Sequence, residues 1–178
     1  GRLVVACFVN DTATAELYTL YRHAPRTWRT DFPTDTRLWL GSSPTQLALQ
    51  HTDANVKLDH EVVMSGLLSD TVYFYAIGNA AGVMAGDDKH HYFRTAPPPN
   101  STKKTRVWVI GDSGTGLAPT RAVIDGYQKF VTNNGNRTAD VWLALGDNAY
   151  YRGTDSQYQT GLFDMFADQL RNPFLLPA

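Results

Sequence analysis

The sequence predicts an antiparallel β-sandwich followed by the first βαβ part of an α/β domain, and three observations carry this. Residues 1–96 hold short alternating apolar runs separated by turn clusters, with no sustained helical period, as an antiparallel sandwich requires. After residue 105 the pattern changes to short continuous apolar runs, the form taken by parallel strands covered on both faces. Between them, Pro97-Pro-Pro99 and Asn100-Ser-Thr-Lys-Lys-Thr105 are polar and extended, as an interdomain linker would be. The expected divisions are therefore 1–97, a linker over 98–105, and an incomplete second domain over 106–178.

Composition narrows the function classes. With 178 residues the chain can hold one ordinary domain, or a small one and part of another. Sixteen Lys+Arg against 17 Asp+Glu leave no basic footprint, so nucleic acid and anionic membrane are not expected as partners. No apolar run approaches the roughly 18 residues of a membrane span. Cys7 stands alone, which excludes a disulfide framework and a cysteine zinc site, and it reads as a small buried apolar residue. Sequons at Asn10, Asn100 and Asn136 weakly favour a secreted, glycosylated protein.

In the first part, strands are expected at Thr36–Leu40, ended by Gly41-Ser-Ser-Pro44, then at Glu61–Met64, Thr71–Ile77 and His91–Thr95. In Thr71–Ile77, Val72, Phe74 and Ala76 face one way and Tyr73, Tyr75 and Ile77 the other, so one face should be core. The spacing suits seven strands. The run Gly66-Leu-Leu-Ser-Asp-Thr-Val-Tyr-Phe-Tyr75, with the closing Phe93-Arg-Thr-Ala-Pro97, resembles the fibronectin type III pattern, although Ser69 stands where that family often has Pro. The resemblance implies that Tyr73 is the corner tyrosine.

In the second part, Arg106–Ile110 reads as a strand buried on both faces, stopped by Gly111-Asp-Ser-Gly114. A helix is expected over Arg121–Val131, capped by Thr120, with Ala122, Val123, Tyr127 and Phe130 on its apolar face and Asn133-Asn-Gly-Asn136 ending it. A second buried strand, Val141–Leu145, ends in Gly146-Asp147, so the unit is βαβ with parallel strands and a right-handed crossover.

Both strands therefore end in Gly-Asp, which places Asp112 and Asp147 where open α/β sheets put their ligand sites. Two neighbouring carboxylates repel unless one takes up a proton or a multivalent cation sits between them, so metal binding is the economical reading. Gly111, Gly114 and Gly146 would let the backbone turn beside the metal and admit a bulky anion. Tyr150 lies three residues after Asp147, within reach of the same ion. A phenol with an ordinary pKa near 10 is a poor ligand for Mg²⁺ or Zn²⁺, whereas hard, highly charged ferric iron can hold it deprotonated.

The set Gly111-Asp-Ser-Gly114 and Gly146-Asp-Asn-Ala-Tyr150 resembles the first two metal motifs of purple acid phosphatases, within the metallophosphoesterase superfamily. Arg26-Thr-Trp-Arg-Thr-Asp31 and Gly41-Ser-Ser-Pro-Thr45 also look like the fibronectin-like domain that those enzymes often carry before the catalytic one. The resemblance implies that Asp112 and Tyr150 bind Fe(III) and that Asp147 bridges it to a divalent metal, Zn, Fe or Mn. It further implies phosphomonoester hydrolysis, a phosphate ester substrate, and a secreted or extracytoplasmic location. The family's later motifs, Gly-Asn-His-(Asp/Glu), Val-x-x-His and Gly-His-x-His, do not occur, and Leu170–Ala178 looks like the approach to the first of them. A fragment is expected, with three of four ferric-site ligands, only Asp147 at the divalent site, and no activity of its own. His23, His51, His60, His90 and His91 all lie in the first part and read as surface or strand histidines.

Bland and rival readings stand beside these. Asp112 and Asp147 would otherwise be turn formers, and Tyr150 and Tyr151 half-buried loop aromatics. Gly111-Asp112-Ser113 also resembles the first block of GDSL-type esterases, with Ser113 as nucleophile, but the Gly-x-Asn-Asp and Asp-x-x-His blocks are missing. Neither a Walker loop nor a dinucleotide fingerprint fits. A non-catalytic adhesion or assembly module is the reading from another class, and a half domain with an open sheet flank would favour self-association.

Overall fold

The structure, a computed structural model, describes residues 4–6 and 24–177. The expectations for Cys7, Asn10 and His23 lie outside the described residues. The chain divides into two compact units, Gly1–Lys104 and Thr105–Ala178. It is mostly sheet, with few helices.

The first unit is one antiparallel sheet whose described strands are β1 (Val4–Ala6), β2 (Ala24–Ser43), β3 (Gln46–Met64), β4 (Val72–Asn79), β5 (Gly82–Gly86) and β6 (Tyr92–Arg94). Six strands stand among the described residues where seven were expected, and the short segments predicted at 36–40 and 61–64 prove to be parts of one long hairpin. Gly41 permits that hairpin, because any Cβ there would fall on the Gln46 carbonyl. Its register shifts between Arg29 and Thr34 and again before Thr36. Such irregularities bend and twist a ribbon. Before the bend β2 pairs with β1 and the end of β3; after it, with the start of β3 and with β4.

The core holds Trp28, Leu38 and Leu40 from β2, Val62 and Met64 from the end of β3, and Tyr75, Ile77 and Phe93 from β4 and β6, all buried. Fully buried Arg26 lies among them, its guanidinium carbon 4.1 Å from the Phe93 ring centre and 5.1 Å from that of Tyr75. The single core face expected for β4 is not what forms: Tyr75, Ala76 and Ile77 are all fully buried. β4 is an interior strand, with β2 on one edge and β5 and β6 on the other, and the lone methyl of Ala76 is easily covered. The Tyr73 hydroxyl accepts the Leu68 N–H at 3.0 Å, a bond back to the chain a few residues upstream. Lys103, in the segment read as linker, is tied to Asp70 at 2.7 Å.

The second unit is a parallel sheet in the order β7 (Val107–Ile110), β8 (Val141–Ala144), β9 (Phe174–Pro177), with α1 (Ala118–Asn133) between the first two strands. β9 had not been expected as a strand. α1 begins earlier than predicted, because Pro119 suits the first helical turn, where its missing N–H costs nothing. Thr120 is therefore not the cap; it lies inside that turn and donates to the Ser113 carbonyl at 3.0 Å. The buried stripe of α1 is Thr120, Ile124 and Val131, with Tyr127 stacked on Trp108 at 4.0 Å, whereas Val123 and Phe130 stand outside it. Trp142 and Phe166, both fully buried with ring centres 5.0 Å apart, fill the same side of the sheet. On the opposite side of β7, Val107 and Val109 are about half exposed, so this strand is covered on one face and not on both.

Candidate metal centre

The parallel register brings the ends of β7 and β8 level, since Ile110 pairs with Ala144. The chain then leaves each strand through Gly-Asp in the same way. Asp112 (φ 55°) and Asp147 (φ 53°) both adopt left-handed backbone, and Gly146 between β8 and Asp147 does so as well (φ 91°). Asp tolerates this region better than most residues, and Asp70 and Asp87 also enter it at turns of the first unit. What sets Asp112 and Asp147 apart is their matched position at adjacent strand ends.

Backbone hydrogen bonds lock the two loops together. Asp112 N–H donates to the Gly146 carbonyl (3.2 Å), Gly114 N–H to Asp147 (2.8 Å), and Tyr150 N–H to Gly114 (3.1 Å). A Cβ on Gly114 would overlap the backbone of Asn148 and Ala149, so only glycine lets these segments approach so closely. Gly114 is buried, which makes its part close packing and not the admission of an anion. Gly111 shows no comparable crowding.

The result is that Asp112, Asp147 and Tyr150 converge. The Tyr150 hydroxyl lies 2.8 Å from Asp147 Oδ2 and is also hydrogen-bonded to Asp112 Oδ1. Both carboxylates are exposed. The hydrogen bond to Asp112, then that to Asp147, holds the phenol protonated well above its ordinary range. One proton thus sits among three oxygen atoms that could otherwise carry three negative charges. This is a set of hard donors, suited to a hard, highly charged cation that could displace the phenolic proton. Among the described residues no three His, Cys, Asp or Glu side chains converge, so a cation placed here would meet two carboxylates and the phenol.

One other residue falls differently from expectation. Tyr151 is not half buried but 92% exposed, with its ring 5.7 Å from that of Tyr150. Ser113 is buried at 5% exposure, unlike a nucleophile that must meet a substrate, and no histidine occurs after residue 104 to activate it. His60 is a strand histidine, in β3, and a buried one: it is 1% exposed, stacked on Trp28, and held between the hydroxyls of Thr36 at Nδ1 (2.8 Å) and Thr30 at Nε2 (3.2 Å). Burial lowers its pKa. His91, nearly buried, faces Asp88 at 2.9 Å. Sequence reasoning missed Asn148, buried beside Asp147 with an Oδ1 that has no hydrogen-bond partner among the described residues, and Gly161, packed against Gly114. The place of Asn148 within the Gly-Asp-Asn-Ala-Tyr run was the available signal; Gly161 had none.

No protein-family model matches the chain, and no curated protein matches it in sequence. Among solved structures it is similar to that of PhoD, with a TM-score of 0.60 and 11% identity over 98% of this chain. The chain spans 38% of the length of that structure. At this identity the likeness establishes a shared fold.

Proposed function

We propose that this chain supplies the ferric part of a binuclear metal centre in a phosphomonoester-hydrolysing protein. Asp112, Asp147 and Tyr150 would hold Fe(III), and Asp147 would also be this chain's ligand to a neighbouring divalent metal, Zn, Fe or Mn. The observation that carries the reading is the convergence of two strand-end carboxylates on one phenol, with no Lys or Arg partner among the described residues. The likeness to PhoD, which runs through nearly the whole chain, supports the reading at the level of fold.

When bound, the metals would polarise a phosphate ester and lower the pKa of a water for in-line attack on phosphorus. The chain's own residues do the positioning. The paired loops hold Asp112 and Asp147 side by side, so neither carboxylate must be ordered when a cation arrives. Both stand open to solvent at the carboxyl ends of parallel strands, where a substrate can reach them. Tyr150 keeps its proton until a cation replaces it, which limits the charge the empty loops must bear. Asn100 and Asn136 are exposed, which supports glycosylation in a secreted protein.

The test is a titration of the chain with ferric ion, read by visible absorption and metal analysis, with phosphomonoester turnover measured in the parent protein. A saturable tyrosinate-to-iron band that Tyr150→Phe removes, together with turnover, is the expected result. A colourless, metal-free protein without turnover would overturn the reading.

A further inference from the structure

We propose that Gly161 is a positioning residue for the metal centre, acting on Tyr150 through the carbonyl oxygen of Gly114; this rests on the metal-binding reading above. Gly161 lies in a π-helical turn, Gln159–Phe163, outside both Gly-Asp motifs and 11 residues beyond Tyr150. It is buried, and a Cβ there would overlap the Gly114 carbonyl oxygen and come within 3.0 Å of its carbon. That oxygen is the acceptor of the Tyr150 N–H at 3.1 Å. The next layer is just as close, because a Cβ on Gly114 would stand 2.5 Å from the Asn148 carbonyl oxygen. Three backbone segments therefore stack without an intervening side chain: Gly161 on Gly114, and Gly114 on Asn148 and Ala149.

The direction of the effect follows from which atom yields. Gly114 cannot move away from a methyl on Gly161, since it already rests on Asn148 and Ala149 and its own N–H is committed to the Asp147 carbonyl at 2.8 Å. Backbone atoms cannot swing aside as the end of a flexible side chain can, and packed interiors transmit such strain. The carbonyl that anchors Tyr150 must tilt or shift, and the phenol moves relative to Asp112 and Asp147. Gly116 adds a second point of register between the same segments, since a Cβ there would lie 3.1 Å from the Thr160 carbonyl oxygen. The π-helical turn is in turn fixed by buried Leu162 and by Phe166 N–H donating to the Leu162 carbonyl at 2.9 Å.

The experiment compares the unaltered chain, Gly161→Ala, and Leu162→Ala in ferric titrations followed by visible absorption, with thermal unfolding of each. Gly161→Ala is expected to weaken ferric binding by up to about 10-fold, no more than loss of the phenol it positions, and to shift or abolish the tyrosinate band. Leu162→Ala should lower Tm but leave the band maximum in place, which separates positioning from general destabilisation. In a Tyr150→Phe background, Gly161→Ala should add less than about a twofold loss, because the residue it acts through is gone. A band and affinity unchanged in Gly161→Ala, or a penalty undiminished in the Tyr150→Phe background, would overturn the inference. Should Gly161→Ala fail to fold, hydrogen exchange of the unaltered chain decides: amides 159–163 should slow on adding ferric ion, and no change there refutes the coupling. If the unaltered chain binds no ferric ion, the metal reading fails and this inference with it; if it binds but Gly161 is indifferent, only the inference fails.

Discussion

The carboxylates of the first unit and those at the ends of β7 and β8 live in opposite surroundings. Asp59 faces Arg29 at 2.6 Å, Asp53 faces Lys57 at 2.8 Å, and Asp70 faces Lys103 at 2.7 Å with Arg94 at 3.3 Å. Each of these carboxyls titrates below its ordinary value, Asp53 at about 2, first because of the hydrogen bond from its cationic neighbour. Asp112 and Asp147 have no Lys or Arg partner among the described residues; they face one phenol, whose titration their hydrogen bonds move up. The same residue type thus does two jobs. Where the protein supplies the cation, the charge fastens loops and strands, and where it does not, the proposed function assigns the charge to a cation from outside.

The sharpest way to break this comparison is to neutralise one member of each class. Asp147→Asn should weaken ferric binding by at least about 100-fold, beyond what loss of a supporting contact costs. The same change should raise the stability of the metal-free protein, by about 0.5–1 kcal/mol, because one of two facing carboxylates is removed. A metal-free variant less stable than the parent in thermal unfolding would show that Asp147 is structural. Tyr150→Phe follows, with about a 10-fold loss of affinity and no visible band, since a phenyl ring supplies no oxygen.

The pH dependence separates the classes further. Asp53, Asp59 and Asp70 have depressed values, so their contribution is present above the unfolded carboxyl pKa near 3.9 and is lost as pH falls through the folded values. His60 is depressed as well, first by burial, and acts earlier. Its neutral form is the one the fold holds, so that contribution is complete above about pH 6.5 and declines below it. Thermal unfolding scanned from pH 8 to pH 3 should therefore show a decline setting in near pH 6.5, which His60→Gln removes. Persistence of that decline in His60→Gln would assign it to another group. The smallest effect belongs to Asp70→Asn, which should cost under about 1 kcal/mol in denaturant unfolding, because both partners are partly exposed and screened. A stabilising outcome there would remove the contrast with Asp147.

Much of the site could be read in one dimension because its chemistry is local. Gly146, Asp147 and Tyr150 lie within five consecutive residues, and the apolar runs before each Gly-Asp identified two parallel strand ends. Turn residues and alternation likewise located segments of β2, β3, β4 and β6. Strand lengths were not legible, since exposed stretches such as residues 52–57 lie within β3 yet carry no run of buried apolar residues. Burial on both sides of β7 was misjudged for a related reason: an apolar run states what a strand tolerates, not what covers it.

By itself, then, the sequence determined which residues are candidates to bind a cation and that two strands would end side by side, because residue type and short spacing point to both. Tertiary structure alone decided that Tyr150 sits between the two carboxylates, that His60 is sealed among threonine hydroxyls, and that Gly161 must lack a side chain. Those are contacts between segments far apart in the chain, and no local preference encodes a distance that only packing sets.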